Sequence, residues 1–319
     1  MRQGFAVLVA GLLACATPQN ASANDSMAET SLGGLVLTQS NDITLDREEL
    51  FISKDEVRVD YLFTNTGLQD IETLVAFPLP DQDYNSEMVP AYNLRKELGF
   101  RTTVDGQPVT YDIVVQAIVD GKDVTAELAE FGLDPDQDWN TLQASLQERG
   151  PEQIEALLAK GLIVKEDTGG QGPSYASTWK TRTIVTRKQV FPAGRTIAVS
   201  HRYKPLAGGS VGGSLYKQYR KDTLPFYREK YCIEDSWLAA FDKAVARRNK
   251  PGKEYQEIYT ETWLGYVLSS GANWKGPIRD FRLVVDKGLP ENMVSFCAEG
   301  VKKITPTRFE VRKTDYEPS

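Results

Sequence analysis

The chain has 319 residues, a formal net charge of −7 and a single histidine. At 41% apolar and 10% aromatic it can bury a real core, and its length suits two domains. The acidic balance argues against general binding to phosphate backbones and against electrostatic docking on anionic membranes, both of which draw on Lys and Arg.

The N-terminus carries the strongest signal. Arg2 supplies a positive start, Phe5 to Ala16 an apolar run, Pro18 a break, and Ala21-Ser22-Ala23 an A-x-A cleavage site. The run falls short of the roughly 20 apolar residues that a spanning helix needs. Residues 1–23 therefore read as a secretory signal peptide, cut between Ala23 and Asn24, and the mature protein as periplasmic or secreted. Leu12-Leu13-Ala14-Cys15 also resembles a lipobox; a lipidated Cys15 is the alternative and would anchor the chain to a membrane. Cys232 and Cys297 remain after cleavage. An even pair in an oxidising compartment reads as one disulfide, with two free buried thiols as the alternative. With one histidine and no C-x-x-C, a cysteine-ligated metal lacks ligands, and no cofactor is expected.

From Leu35 to Val119 the pattern is that of strands. Val57, Val59, Tyr61 and Phe63 alternate with polar residues, so one face is buried and one wet. Asn65-Thr66-Gly67 breaks this strand, and Ile71, Thr73, Val75 and Phe77 form the next, which Pro78 and Pro80 end. Asp105-Gly106 predicts a type I′ hairpin. Helical spacing appears at Val124–Phe131 and Thr141–Gln147, and Pro151–Lys160 is a short helix stopped by Gly161. Glu166–Tyr175 reads as a mobile loop. Strands resume at Trp179–Phe191 and Arg195–Tyr203. The glycine-rich Gly208–Ser214 reads as a flexible linker between domains. Asp235–Lys250 is a helix with Trp237, Phe241 and Val245 on one stripe. Strands at Glu261–Leu268, Phe281–Val285, Met293–Cys297 and Arg308–Val311 close the chain.

These elements predict a mainly β protein built of two β-sandwich-like units. After the signal at 1–23, an N-terminal sandwich spans 24–206 with a small helical insertion at about 123–161. A C-terminal helix plus β-sandwich unit spans 207–319.

Several segments carry a family pattern: Asn24-Asp25-Ser26, Gly33–Leu37, Val57–Asn65, Val75-Ala76-Phe77-Pro78-Leu79-Pro80, Phe191-Pro192-Ala193, His201–Pro205, Trp274–Ile278 and Ser295-Phe296-Cys297. Together they resemble the secreted bacterial family catalogued as domain of unknown function 4424, across nearly the whole mature chain. The resemblance implies an exported bacterial protein of similar layout and no particular activity. The Phe-Pro-Leu-Pro ending and its flanking strands are also similar in architecture to the VIT module of inter-alpha-trypsin inhibitor heavy chains, an interaction scaffold.

Chemistry-bearing patterns are sparse. His201 shares strand parity with Ile197, Val199 and Tyr203, so it reads as a core histidine in place of a general base. Asp134, Asp136 and Asp138 have D-x-D-x-D spacing, but Trp139 stands where a calcium loop needs glycine and Ser145 where it needs a bidentate glutamate. Asp81, Asp83, Asn85 and Glu87 fail likewise, so loop and helix-cap acids are the better reading. Trp263, Tyr266 and Trp274 are candidates for an aromatic platform binding a sugar or peptide, with core packing as the alternative. Trp274 lies in a loop sequence and is the best surface candidate.

The sequence thus favours an exported, non-enzymatic binding or scaffold protein of the cell envelope, with an envelope protein or glycan as partner and no nucleic acid. A carboxylate-dependent enzyme acting on envelope glycans and a structural subunit of an envelope complex are the competing readings.

Overall fold

Strand alternation dictates the main layer. In a computed structural model that describes residues 5–12, 26–31, 34–83, 98–166, 174–249, 259–266 and 268–318, the strand Val57–Asn65 buries every second residue. Its inward side chains Val57, Val59, Tyr61 and Phe63 are at most 2% exposed. The predicted Ala23–Asn24 cleavage site, the second acidic run beyond Asp83 and most of the 166–175 loop lie outside the described residues.

The strands in chain order are β1 (Phe5–Leu12), β2 (Ser26–Ser31), β3 (Gly34–Thr38), β4 (Ile43–Ser53), β5 (Val57–Asn65), β6 (Ile71–Pro78), β7 (Arg101–Val104), β8 (Gln107–Pro108), β9 (Asp112–Val119) and β10 (Lys122–Asp123). They continue with β11 (Ile163–Glu166), β12 (Ser174–Ser177), β13 (Lys180–Phe191), β14 (Thr196–Tyr203), β15 (Gly208–Ser210), β16 (Tyr259–Tyr266), β17 (Ile278–Asp286), β18 (Met293–Ser295), β19 (Lys302–Lys303) and β20 (Arg308–Tyr316). The helices are α1 (Thr125–Glu130), α2 (Trp139–Gln147), α3 (Pro151–Ala159), α4 (Arg220–Tyr231) and α5 (Asp235–Arg248).

The protein is mainly β. One sheet has the order β19-β20-β17-β4-β5-β14-β7-β8 and a second β10-β9-β13-β6-β2-β3. Their apolar faces share one core, in which Phe63, Phe77, Phe191, Tyr61 and Phe281 are packed with aliphatic residues from both sheets. Asn65, at the end of β5, ties the two sheets together. Its buried amide donates to the carbonyls of Gln69 and Phe191, both at 2.8 Å, and accepts from the Gly67 N–H. The expected hairpin at Asp105-Gly106 forms with φ of 48° and 78°, the type I′ signature, and Asp120-Gly121 repeats it between β9 and β10.

Sheet pairing crosses the expected boundary at 206/207. β17 hydrogen-bonds to β4 in parallel, with Leu283 opposite Leu50, and β20 pairs with β17. The C-terminal strands therefore complete the first sandwich. A period of two reveals a strand but not its non-local partner, which is why the join was invisible in the pattern. The helices α1, α2 and α3 pack as an insertion around Leu128, Leu142, Leu157 and Trp179. Asp138 caps α2, its carboxylate accepting from the Thr141 N–H at 3.0 Å, so this acid serves a helix end.

The stretch 208–214 is not a free linker. Gly208–Ser210 forms β15, paired to β16. A Cβ on Gly208 would lie 2.1 Å from Nε1 of Trp263, and one on Gly212, at φ +77°, 2.0 Å from the Tyr259 carbonyl oxygen. The glycines are there because the backbone passes too close to its neighbours for any side chain.

A candidate strand site in the C-terminal lobe

A third sheet, with the order β15-β16-β1-β18, lies under α4 and α5. Its middle strand is β1, the apolar part of the expected leader. β1 runs parallel to β16 from Phe5 opposite Tyr259 to Leu12 opposite Tyr266, and parallel to β18 from Val7 opposite Met293 to Val9 opposite Ser295. β16 and β18 are thus separated by the width of one strand. Two inter-strand spacings put them about 9.6 Å apart.

Each rail is also held by contacts outside β1. Trp237 of α5 donates from Nε1 to the Val294 carbonyl at 2.9 Å, and Ser295 donates from Oγ to the Tyr231 carbonyl at 2.8 Å. Two residues beyond β18, Cys297 is joined to Cys232, the C-cap of α4, in the expected disulfide. Cys232 adopts φ +51°, the left-handed turn that ends the helix. A bidentate pair from Arg220 to Asp242, at 2.9 and 3.0 Å, holds α4 against α5.

β16 is fixed through its helix-facing side chains. Glu261 is 2% exposed, and its Oε2 accepts from the Tyr227 hydroxyl at 2.5 Å. The Tyr259 hydroxyl accepts from the Leu215 N–H at 2.8 Å, pinning the turn that follows β15. Burial and the Glu261 charge push Tyr231 up to about 12. Burial, then the hydrogen bond to Glu261, raises Tyr227 well above the ordinary phenol range. Burial raises Tyr259 in the same way. These phenols stay protonated at neutral pH, and Tyr227 donates to Glu261. Glu261 keeps one unused acceptor: its buried Oε1 makes no hydrogen bond among the described residues.

The aromatic trio named from sequence does not form one platform. Trp263 is half-buried on the helix-facing side of β16, beside Gly208. Tyr266, of opposite parity, is 1% exposed in the sandwich core. Trp274, expected at the surface, is 3% exposed and packs 4.6 Å from the Phe63 ring centroid. Its loop folds back because a large apolar ring gains by burial, while Lys275 next to it stays exposed. His201 sits in the core as its parity predicts, 0% exposed, with Phe77 and Phe100 ring centroids at 5.1 and 5.2 Å. The site's key residues, Glu261 and Tyr227, were missed. Glu261 opened the expected strand Glu261–Leu268 with nothing to mark it as buried, and no element was expected over 215–234, where Pro225 interrupts the helical pattern.

No group of three or more His, Cys, Asp or Glu residues placed to hold a metal ion occurs among the described residues. No helix among them is long and apolar enough to cross a membrane.

Comparison with known proteins locates the chain in sequence space. No curated protein matches it. A Legionella pneumophila crystal structure titled "putative nutrient binding protein" aligns over 99% of this chain and 70% of that one, at 15% identity and a TM-score of 0.44. A likeness at that level bears on neither ligand nor activity. The sequence profile for the domain of unknown function DUF4424 matches residues 23–319, starting where the leader is expected to end. The chain belongs to the DUF4424 family.

Proposed function

We propose that this is an exported, non-enzymatic binding or scaffold protein of the bacterial cell envelope that accepts an extended segment of a partner between β16 and β18. Residues 1–23 act as the leader and are removed after Ala23. Removal takes β1 out of its sheet and leaves the facing backbone groups of β16 without partners. An open strand edge invites another strand, because each unpaired N–H and C=O seeks a hydrogen bond.

The observation that carries this reading is the position of β1: the middle strand of a sheet lies outside the matched family region, between two rails held by other contacts. The disulfide is compatible with an oxidising compartment. The acidic, histidine-poor composition supports a partner that is neither nucleic acid nor anionic membrane.

Two measurements test it. Envelope fractionation and intact mass of the protein exported by a bacterial host should give a chain beginning at Asn24; acylated Cys15 or an uncut chain would refute the leader. Fluorescence anisotropy should then show that the processed protein binds a labelled octamer of sequence Phe5–Leu12, and a partner taken from envelope extract should be displaced by it. A processed protein indifferent to the octamer would refute the strand site.

A further inference from the structure

We infer that the strand accepted between β16 and β18 carries a basic side chain, Lys or Arg, at the position opposite Glu261; this rests on the strand-binding reading above. Parallel register places the third residue of an eight-residue occupant beside Glu261, on the helix-facing side of the sheet. The leader puts Val7 there. Glu261 Oε1 is buried and makes no hydrogen bond among the described residues.

A buried carboxylate with a spare oxygen is an uncompensated cost, since desolvation disfavours the charge and a lone pair goes unused. The local hydroxyls offset part of it and leave the charge unpaired. Tyr227 donates to Oε2, and the Tyr259 hydroxyl, which accepts from the Leu215 N–H, also hydrogen-bonds Glu261, but neither phenol brings a positive charge and Oε1 keeps no partner among the described residues. No arginine or lysine forms an ion pair with Glu261 within the chain's described residues. A cation from the occupant would supply both the missing donor and the missing charge. Opposite charges on laterally adjacent strand positions are a favourable pairing, and the low-dielectric setting under α4 strengthens it.

The neighbouring positions set the remainder of the specificity. Tyr259 and Trp263 flank Glu261 on the same face and join the apolar cluster under the helices, with Leu238, Phe241 and Met293. Residues of the occupant opposite those two positions would meet apolar surroundings. On the other face, Leu264 and Tyr266 belong to the sandwich core, so the C-terminal half of the occupant is apolar there too. The recognised chemistry is therefore an extended, largely apolar peptide with one basic residue near its start. The leader meets the apolar requirement and lacks the cation, which suits a segment that must leave.

The test uses four octamers with identical Gly-Ser flanks: the Phe5–Leu12 sequence and its Val7→Lys, Val7→Leu and Val7→Glu forms. Each is titrated against the processed protein and its Glu261→Gln variant. Gln keeps the carbonyl that accepts from Tyr227 and removes the charge. The Lys octamer should bind at least about tenfold more tightly than the Val and Leu forms, and the Glu octamer more weakly than all, because a desolvated charge pair is worth upwards of about 1.4 kcal/mol. The Lys preference should vanish in Glu261→Gln. Equal binding of all four octamers, or a Lys preference that survives Glu261→Gln, overturns the inference and leaves the strand site standing. Binding of none of them by the wild-type protein overturns both.

Discussion

Replacing both Cys232 and Cys297 by serine should cost about 4 kcal/mol. The two residues are 65 apart in the chain. In the chain-entropy treatment, a cross-link of that span removes about 14 cal/mol/K from the denatured ensemble, or about 4 kcal/mol at 25 °C. Both side chains are small and no neighbouring contact should need rebuilding, so native-state terms are minor. The loss will not be spread evenly. β18 retains the Trp237 and Ser295 hydrogen bonds, each worth about 1 kcal/mol net, so it should stay in place but open locally more often. Urea denaturation at pH 7, followed by tryptophan fluorescence, gives the first quantity. Hydrogen exchange over 293–295 gives the second. A double variant within 1 kcal/mol of wild type, with an unchanged m-value, would refute the entropic argument. Faster exchange everywhere, with no excess at β18, would refute its role as an anchor.

Other outcomes follow from the same contacts. The raised phenols make stability fall at high pH: the native state holds its tyrosine protons more tightly than the unfolded chain, whose phenols titrate near 10. The contribution from Tyr231 is complete below pH 10 and lost as pH climbs toward about 12, and Tyr227, Tyr259 and Tyr203 extend the decline further. Each such phenol should cost on the order of 1 kcal/mol per pH unit above 10, read by denaturation at graded pH alongside phenolate absorbance; 14 tyrosines titrating together near 10 without loss of stability would contradict this. Asn65→Ala strands the Gln69 and Phe191 carbonyls and should cost about 2–3 kcal/mol in urea denaturation, whereas a neutral result would show that water replaces the amide. His201→Gln places an amide among Phe77, Phe100 and Tyr61, and should lower the melting midpoint without altering octamer binding in the folded fraction.

How much of this was legible in the residues depends on range. Alternation at Val57–Phe63, the Asp105-Gly106 turn, the helix with Trp237 and Phe241, and the parity of His201 are local signals, and each gave the observed element or burial. The parallel join of β17 to β4 was not legible, because it is written in no single segment. The glycines at 208–214 misled for a physical reason: freedom of φ and absence of a side chain leave the same letter, and at Gly208 and Gly212 close approach to Trp263 and Tyr259 required it. Trp274 misled because its polar neighbours describe the loop and not the ring. Glu261 gave no signal at all, since a glutamate on a strand reads as solvent-facing until a helix with an internal proline covers it.

The central claim is that the processed chain holds an open place for one strand beside β16. Hydrogen exchange of the β16 amides, residues 259–266, tests it most directly when measured on the processed protein with and without the octamer. The account predicts rapid exchange at alternate β16 amides in the free protein, those whose N–H groups face the vacated strand, and strong protection of the same amides when the octamer is added. Protection already complete without peptide would show that β18 has closed onto β16, and would contradict the account.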